Sequence, residues 1–321
     1  AEMLKAGGEL LESHLLRLYN DVIQPHQQPP SQWKQATITV KSGNPKLPQN
    51  YRPISIIPLL YKLFARLLYN RLEPMLDKHQ TPDQAGFRHD YSTEDHLYTL
   101  SLLEERSREH QLPLWIATVD FKKAFDTVDH NQLWTTLTRQ QIPQQYTTLL
   151  AQLYDGQTAH VKTDRHSRNF DICRGVKQGD PLSSLLFNAL LEDAFQTLRQ
   201  KWSNKSFGIK LGHTPSTNMT NLRFADDVLL MAPNLRQVTQ MLKDLQEATT
   251  PHGLQLHPDK TKILTNATRQ RRTQTSTTIN GSNIDILTQH DTTKYLGRKL
   301  TLHNHNKTEL DNRIAAAWKK F

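Results

Sequence analysis

The chain has 321 residues, 36% of them hydrophobic and 22% charged, with 12 glycines and 16 prolines. That is a globular composition on the polar side, long enough for one large domain or two to three subdomains, and not a disordered one. Forty Lys plus Arg against 31 Asp plus Glu leave a net charge of +9, which favours a polyanionic partner such as nucleic acid, while a single cysteine, Cys173, excludes an internal disulfide framework and any thiolate zinc cluster and suits a reducing compartment.

Residues 3–19 repeat apolar positions at helical spacing, and the prolines of "IQPHQQPPSQW" then end the pattern. "ATITV" reads as a short strand, and "LPQNYRPISIIP" as an extended, proline-rich segment. The strongest helix covers 59–79, with Leu59, Leu60, Leu63, Phe64, Leu67, Leu68, Leu72 and Leu76 as one stripe and Lys62, Arg66 and Arg71 opposite. "QAGFR" at 84–88 is a polar loop, after which Ser92 or Thr93 caps a helix running to about 110. "LWIATVDF" at 114–121 is a buried strand with Asp120 near its end. Helices follow at 130–140 and 144–154, then a hairpin of "TAHVKT" and "FDICRG". A long helix opens at Asp180 and Pro181. Beyond it come a strand "FGIKLG", two strands flanking "ADD", a helix at 235–247 and a strand "KTKILT". Residues 266–282, rich in Thr, Asn, Gln and Arg, read as the likeliest flexible loop. The longest apolar run, "ISIIPLLYKLF", is too short for a membrane span, and no signal peptide opens the chain. The chain starts at Ala1 and stops at Phe321 within a helical pattern, so both ends read as cuts in a longer polypeptide.

The chemistry concentrates in carboxylates. Asp226 and Asp227 lie side by side between two apolar segments, where unpaired charge is costly to bury. A βααβ arrangement would set their strands beside the one ending at Asp120, bringing three carboxylates to one sheet edge. Such a cluster needs a counter-charge, and Mg²⁺ is the hard, oxygen-seeking ion that usually supplies it. A plain hairpin turn would also accept the Asp226–Asp227 pair. Phe125, five residues after Asp120, is an aromatic able to lie under a nucleotide sugar and exclude a 2′-hydroxyl; the alternative is a core residue. Asp126 and Asp129 read as helix caps and Asp180 as a helix N-terminal residue. Gly175 and Gly179 flank a loop entering a helix N-terminus, with Gln178 free to meet a nucleotide. Arg52 and Arg88 are candidate triphosphate contacts, and Lys260 a candidate proton donor to pyrophosphate.

"NYRPIS", "QAGFR", "TVDFKKAFDTVDH", "GVKQGDPLS", "LRFADD", "GLQLHPDKTK" and "KYLG" occur in the order shown by reverse transcriptases of non-LTR (LINE-type) retrotransposons, which the chain resembles over nearly its whole length. The opening "AEMLKAGGELL" is similar to the RTE-type branch. The resemblance implies an α+β right-hand polymerase with an antiparallel palm sheet packed on helices. Fingers would span 1–110, the palm 111–300 with part of the fingers between 130 and 175, and the start of a thumb 301–321. It implies metal ligands at Asp120, Asp226 and Asp227 for two Mg²⁺ ions, with Mn²⁺ as a substitute. It further implies nucleotide contacts at Arg52, Arg88, Phe121, Phe125, Gln178 and Gly179, and a primer grip at Tyr295, Leu296 and Gly297. Ser184 stands where these enzymes usually have Pro. The expected activity is two-metal nucleotidyl transfer onto a DNA 3′-hydroxyl, copying an RNA template with dNTPs at a nicked DNA target. The setting would be intracellular, in nucleus or cytoplasm, away from membranes. A group II intron-type maturase and a decayed relative that only binds RNA are the alternatives.

Overall fold

The computed structural model describes residues 2–24, 27–41, 52–162, 167–211, 218–267, 274–287, 291–302 and 305–318, without the side chains of Met3, Val40, Lys41, Arg52, His305 and Asn306. In chain order the elements are α1 (Glu2–Ala6), α2 (Gly8–Ile23), β1 (Gln35–Lys41), β2 (Arg52–Ile56), α3 (Leu59–Asp77), α4 (Thr93–Glu109), β3 (Trp115–Val119), α5 (Ala124–Thr127), α6 (His130–Arg139) and α7 (Gln144–Tyr154). There follow β4 (Thr158–Lys162), β5 (Phe170–Asp171), α8 (Pro181–Asn204), β6 (Asn221–Phe224), β7 (Asp227–Ala232), α9 (Leu235–Thr249), β8 (Lys262–Thr265), β9 (Ser276–Ile279), β10 (Ser282–Ile286), β11 (Thr293–Tyr295), β12 (Arg298–Leu300) and α10 (His305–Trp318). Among the described residues no helix is long and apolar enough to cross a membrane.

The chain divides into two units, residues 1–80 with 125–190, and 81–124 with 191–321. The first is built on a four-stranded sheet of order β2-β1-β4-β5, in which β1 and β4 run parallel and the other pairs antiparallel. Its core is aromatic: Trp33 lies 5.1 Å from Phe64 and 6.0 Å from Tyr61, ring centre to ring centre, and Tyr19 lies 5.4 Å from Phe64. α3 buries Tyr61, Phe64, Ala65, Leu68, Leu72 and Leu76. The expected stripe is therefore rotated: Leu59, Leu63 and Leu67 face outward, because the aromatic Tyr61 and Phe64 fill the core in their place. Asp129 caps α6 by accepting from Gln132 N at 2.9 Å, as expected.

The second unit carries a six-stranded sheet of order β6-β7-β3-β8-β10-β9. β3, buried at every residue, sits inside it, antiparallel to both β7 and β8. Side chains alternate across the sheet. One face meets α4, where Leu100 and Leu103 join Ile116, Leu229, Met231 and Leu264 in a single cluster. The other face is covered by α9, which packs on β7 and β3 and buries Val238, Met241, Leu242 and Leu245. Ser92 and Asp95 close a capping box at the start of α4.

Three expectations change. β8 and β10 pair in parallel within the otherwise antiparallel sheet. "FGIKLG" forms only an isolated bridge, Ile209 to Met219, among its described residues. Within 266–282, read as a loop, residues 268–273 lie outside the described set, but Ser276–Ile279 is β9, whose β-branched Thr277 and Thr278 suit a pleated edge against β10.

Candidate active site

The second unit collects the carboxylates. β6 and β7 form a hairpin in which Phe224 pairs with Asp227, so Ala225 and Asp226 are the two residues of the turn. Ala225 has φ 55°, a left-handed conformation that an alanine adopts only at a cost of roughly 1–2 kcal/mol. The surrounding backbone holds it there. Gln84, fully buried, accepts through Oε1 from both Ala225 N and Gly86 N at 2.9 Å. Ala85 N donates to Arg223 O at 2.9 Å, and Arg223 N to Asp83 O at 2.6 Å. A Cβ on Gly86 would stand 2.2 Å from Ala225 N, so only glycine permits this approach. "QAGF" is thus the wall against which the acidic turn is folded.

Register brings the other carboxylate alongside. Val119 pairs with Val228, the last pair of the β3–β7 register, so Asp120 directly follows the paired part of one strand and Asp227 directly precedes it on the other. Beyond β3 the chain stays zipped to 255–257: Lys122 N donates to Gln255 O at 2.8 Å and His257 N to Asp120 O at 2.8 Å. This brings Lys260 Nζ to 3.1 Å from Asp120 Oδ2. The same oxygen is buried and receives no aligned hydrogen bond, so the ammonium neutralises it by proximity alone. Among the described residues no group of three or more His, Cys, Asp or Glu is gathered closely enough to hold a metal ion. The expected three-carboxylate cluster is therefore seen as two carboxylates at neighbouring strand positions, a third in the adjoining turn, and Lys260 as the counter-charge. The donor set is nonetheless one that fits a divalent cation: hard oxygens, one of them buried and without a donor.

The remaining residues fall less simply. Phe121, expected among the nucleotide contacts, is 3% exposed, with its ring in the core. Arg88 was expected at a triphosphate; its Nη1 donates to Thr81 O at 2.7 Å and Gln84 O at 2.9 Å, and its guanidinium lies 4.4 Å over the Tyr91 ring. It closes the "QAGFR" loop, a use that the five-donor fork allows. Tyr295 is buried, with its hydroxyl 3.1 Å from His96 Nδ1; burial and the nearby Asp227 raise its phenol pKa. Leu296 and Gly297, at φ 48° and 78°, form the tight turn between β11 and β12.

The first unit holds the other motif. Phe125 stacks on Phe187 of α8, 4.7 Å apart and 12° from parallel, and is half-buried. Val176 N donates to Phe125 O at 2.7 Å and Gly175 N to Val128 O at 2.8 Å, and a Cβ on Gly175 would meet the backbone of Asp126 at 2.7 Å. Gln178 Nε2 donates to Asp126 Oδ1 at 3.2 Å, so Asp126 anchors this loop and is not the helix cap expected. Ser55 N of β2 donates to Gln178 O at 2.9 Å, and Gly179, at φ 110°, passes Ser55 O. Phe125, Gln178, Gly179 and the strand that Arg52 opens are thereby joined; the Arg52 side chain lies outside the described residues.

Two buried polar clusters escaped the sequence reading. Asp180 caps α8 as expected, accepting from Leu182 N at 3.0 Å, but it also accepts a 2.5 Å hydrogen bond from Tyr61 Oη, and burial raises its pKa. Next to it Lys177, 5% exposed, lies 5.4 Å over the Tyr61 ring, its pKa lowered to about 8 by burial. In the second unit Arg223, fully buried, donates to Glu192 Oε2 at 2.8 Å, stacks 4.3 Å over Phe195, and shares Glu192 with Arg199. An arginine inside "NLRFA", two residues before the turn pair begins, was the available signal.

A polymerase-like arrangement of strand-end carboxylates is what these elements define, and comparison with known proteins agrees. A profile of the reverse transcriptase (RNA-dependent DNA polymerase) family matches residues 40–300, and the chain belongs to that family. It is 29% identical over 305 residues to the Pol polyprotein of the type-2 retrotransposable element R2DM of Drosophila melanogaster, covering 92% of this chain and 28% of that protein. It is 32% identical over 209 residues to the R2 element polyprotein of Popillia japonica, covering 64% and 28%. With the RNA-directed DNA polymerase of the mobile element jockey of Drosophila melanogaster it shares 27% over 297 residues, covering 86% and 30%. The domain is homologous to those of non-LTR retrotransposon RNA-directed DNA polymerases, and the chain spans under a third of the length of these relatives. Among solved structures, telomerase from Candida tropicalis with a fragment of telomeric RNA matches with a TM-score of 0.57 at 13% identity, covering 87% of this chain and 45% of that one. At that identity the likeness shows the fold alone.

Proposed function

We propose that this chain is the polymerase portion of a longer retrotransposon protein and copies RNA into DNA by extending a DNA 3′-hydroxyl. The observation that carries this reading is the β3–β7 register, which ends at Val119–Val228 and so brings the strand end at Asp120 to the end of the hairpin that carries Ala225, Asp226 and Asp227. Asp120, Asp226 and Asp227 would hold the divalent ions, Mg²⁺ or Mn²⁺ in its place, which when bound supply activation of the primer hydroxyl and stabilisation of the leaving pyrophosphate. Lys260 holds positive charge at Asp120 and is the group we assign to protonate pyrophosphate. Phe125 we assign as the gate against a 2′-hydroxyl, Gln178 and Gly179 as the nucleotide-binding loop, Arg52 as a phosphate contact, and Tyr295, Leu296 and Gly297 as the primer grip. Arg88 serves by bracing the loop behind the acidic turn.

The family's right-hand plan supports reading 1–110 as fingers, 111–300 as palm with an inserted part of the fingers, and the final helix as the start of a thumb. We propose priming at a nicked chromosomal target and, with it, an intracellular setting in nucleus or cytoplasm, and an RTE-type affiliation, which rests on the opening residues. The retrotransposon relatives weigh against a maturase. An RNA-binding relative without chemistry would have little use for an acidic turn beside a strand that ends in another carboxylate, in a chain of net charge +9.

Primer extension on poly(rA)/oligo(dT) with Mg²⁺ tests this. Asp226→Ala is expected to reduce extension at least about a thousandfold while RNA binding persists. Equal extension by variant and parent would overturn the assignment.

A further inference from the structure

We propose that Lys177 and Asp180, the buried charges at the two corners of one tight turn, act with Tyr61 to hold Gln178 and Gly179 in the conformation that receives the incoming nucleotide, which makes Lys177 a positioning residue for that substrate. The proposal rests on the polymerase reading above, and every residue in it belongs to the first unit.

The turn comes first. Asp180 N donates to Lys177 O at 3.1 Å, which closes four residues with Gln178 and Gly179 as the central pair. Gly179, at φ 110°, fills the third position, where a left-handed residue is needed. Ser183 Oγ donates to the same Lys177 carbonyl at 2.7 Å and ties the turn to the first residues of α8. These bonds use the backbone of the corners and leave both charged side chains for another use.

Both side chains go inward. Asp180 accepts from Leu182 N through Oδ1 and from Tyr61 Oη through Oδ2. Lys177 Nζ is buried without a hydrogen-bond partner; what it meets is the Tyr61 ring, 5.4 Å away, and the field of Asp180. Tyr61 thus serves both charges, giving its hydroxyl to the anion and its ring face to the cation. Burial lowers the Lys177 pKa to about 8 and raises that of Asp180, and in each case the charge of the other residue acts against the shift. Apolar side chains of like volume would fill this space with equal or greater stability. What opposite charges at both corners add is a preference for one arrangement of the turn between them. Removing one charge leaves the other buried and uncompensated, and the turn opens towards water to relieve it.

Steady-state primer extension on poly(rA)/oligo(dT), with dTTP varied and a urea melt alongside, tests this in the purified chain. Lys177→Met keeps the length of the side chain and removes its charge, and Asp180→Asn keeps the helix cap. Each is expected to raise the KM for dTTP about tenfold while kcat stays within about twofold. Lost stability alone would lower the fraction of active protein, and with it kcat, at an unchanged KM. The double variant Lys177→Met/Asp180→Asn leaves no charge unpaired, so its KM should also rise about tenfold, not the roughly hundredfold of independent effects. Should a single variant fail to fold, the KM of the double variant decides. A parental KM, a fall in kcat alone, or a roughly hundredfold rise in the double variant overturns the proposal. A parent chain that extends no primer overturns the polymerase reading and this proposal with it.

Discussion

Glu104 on α4 shows how much a single side chain can set. Burial pushes its carboxyl up from the ordinary 4.5 to about 7, against the opposing pull of Arg298 and Arg108. The folded state therefore binds this proton more tightly than the unfolded chain does. Its favourable contribution is complete below about pH 4.5 and is lost as pH rises through 7, over a range of about 3 kcal/mol at most. Glu104→Gln, neutral at every pH, should melt higher than the parent at pH 8, with the gap closing towards pH 5. Parallel melting curves for the two proteins across that range would show that Glu104 does not titrate in this way. Nothing in "LLEERSRE" distinguishes Glu104 from Glu105: one faces the protein and the other water, and only packing separates them.

At the scale of elements, the acidic hairpin depends on the loop behind it. Gly86 lies against the backbone of Ala225, and Gln84 holds both ends of that contact. Gly86→Ala puts a methyl where no atom fits, so the turn must move. Destabilisation of about 1–3 kcal/mol in urea is expected, with primer extension falling at least about tenfold and RNA affinity unchanged. Gly156→Ala is the comparison: its Cβ meets nothing within 4 Å, so it carries only the strain of φ 64° and should leave extension intact. Equal effects of the two substitutions would show that the approach to Ala225 is not what requires glycine at 86. The hairpin itself was legible, because two apolar runs around a short polar turn are a local pattern. Its support by Gln84, some 140 residues away in the chain, was not.

The whole molecule presents 40 basic residues against 31 acidic ones, with three of the acidic side chains drawn to the polymerase turn and its neighbouring strand. What remains outside is more strongly positive, and a polyanion is the partner that field selects. Affinity for a single-stranded RNA, measured by fluorescence anisotropy, should fall roughly tenfold or more between 50 and 200 mM NaCl, as counterion release requires. Salt-independent affinity would exclude the backbone phosphates as the main contact. Each of the two units has its own sheet and core, and a cut between 80 and 81 or between 124 and 125 has no composition signal in the chain. Segments that alternate between units along the sequence leave no boundary that a linear reading detects.

By itself the sequence determined most helices and strands, the carboxylates at strand ends, and the family, because apolar spacing and ordered motifs are properties of short stretches read one after another. Tertiary structure alone decided the pairings that no local pattern announces, among them the parallel pairs β1–β4 and β8–β10, whereas the β3–β7 pairing beside the acidic turn was expected from the sequence and is found. It also decided that Arg88 braces a loop, that Phe121 is core, and that Lys177, Asp180 and Arg223 are buried. The reason is physical: a side chain's burial and partners depend on surfaces contributed by distant segments, and the desolvation that makes a charge consequential exists only after those segments have closed over it.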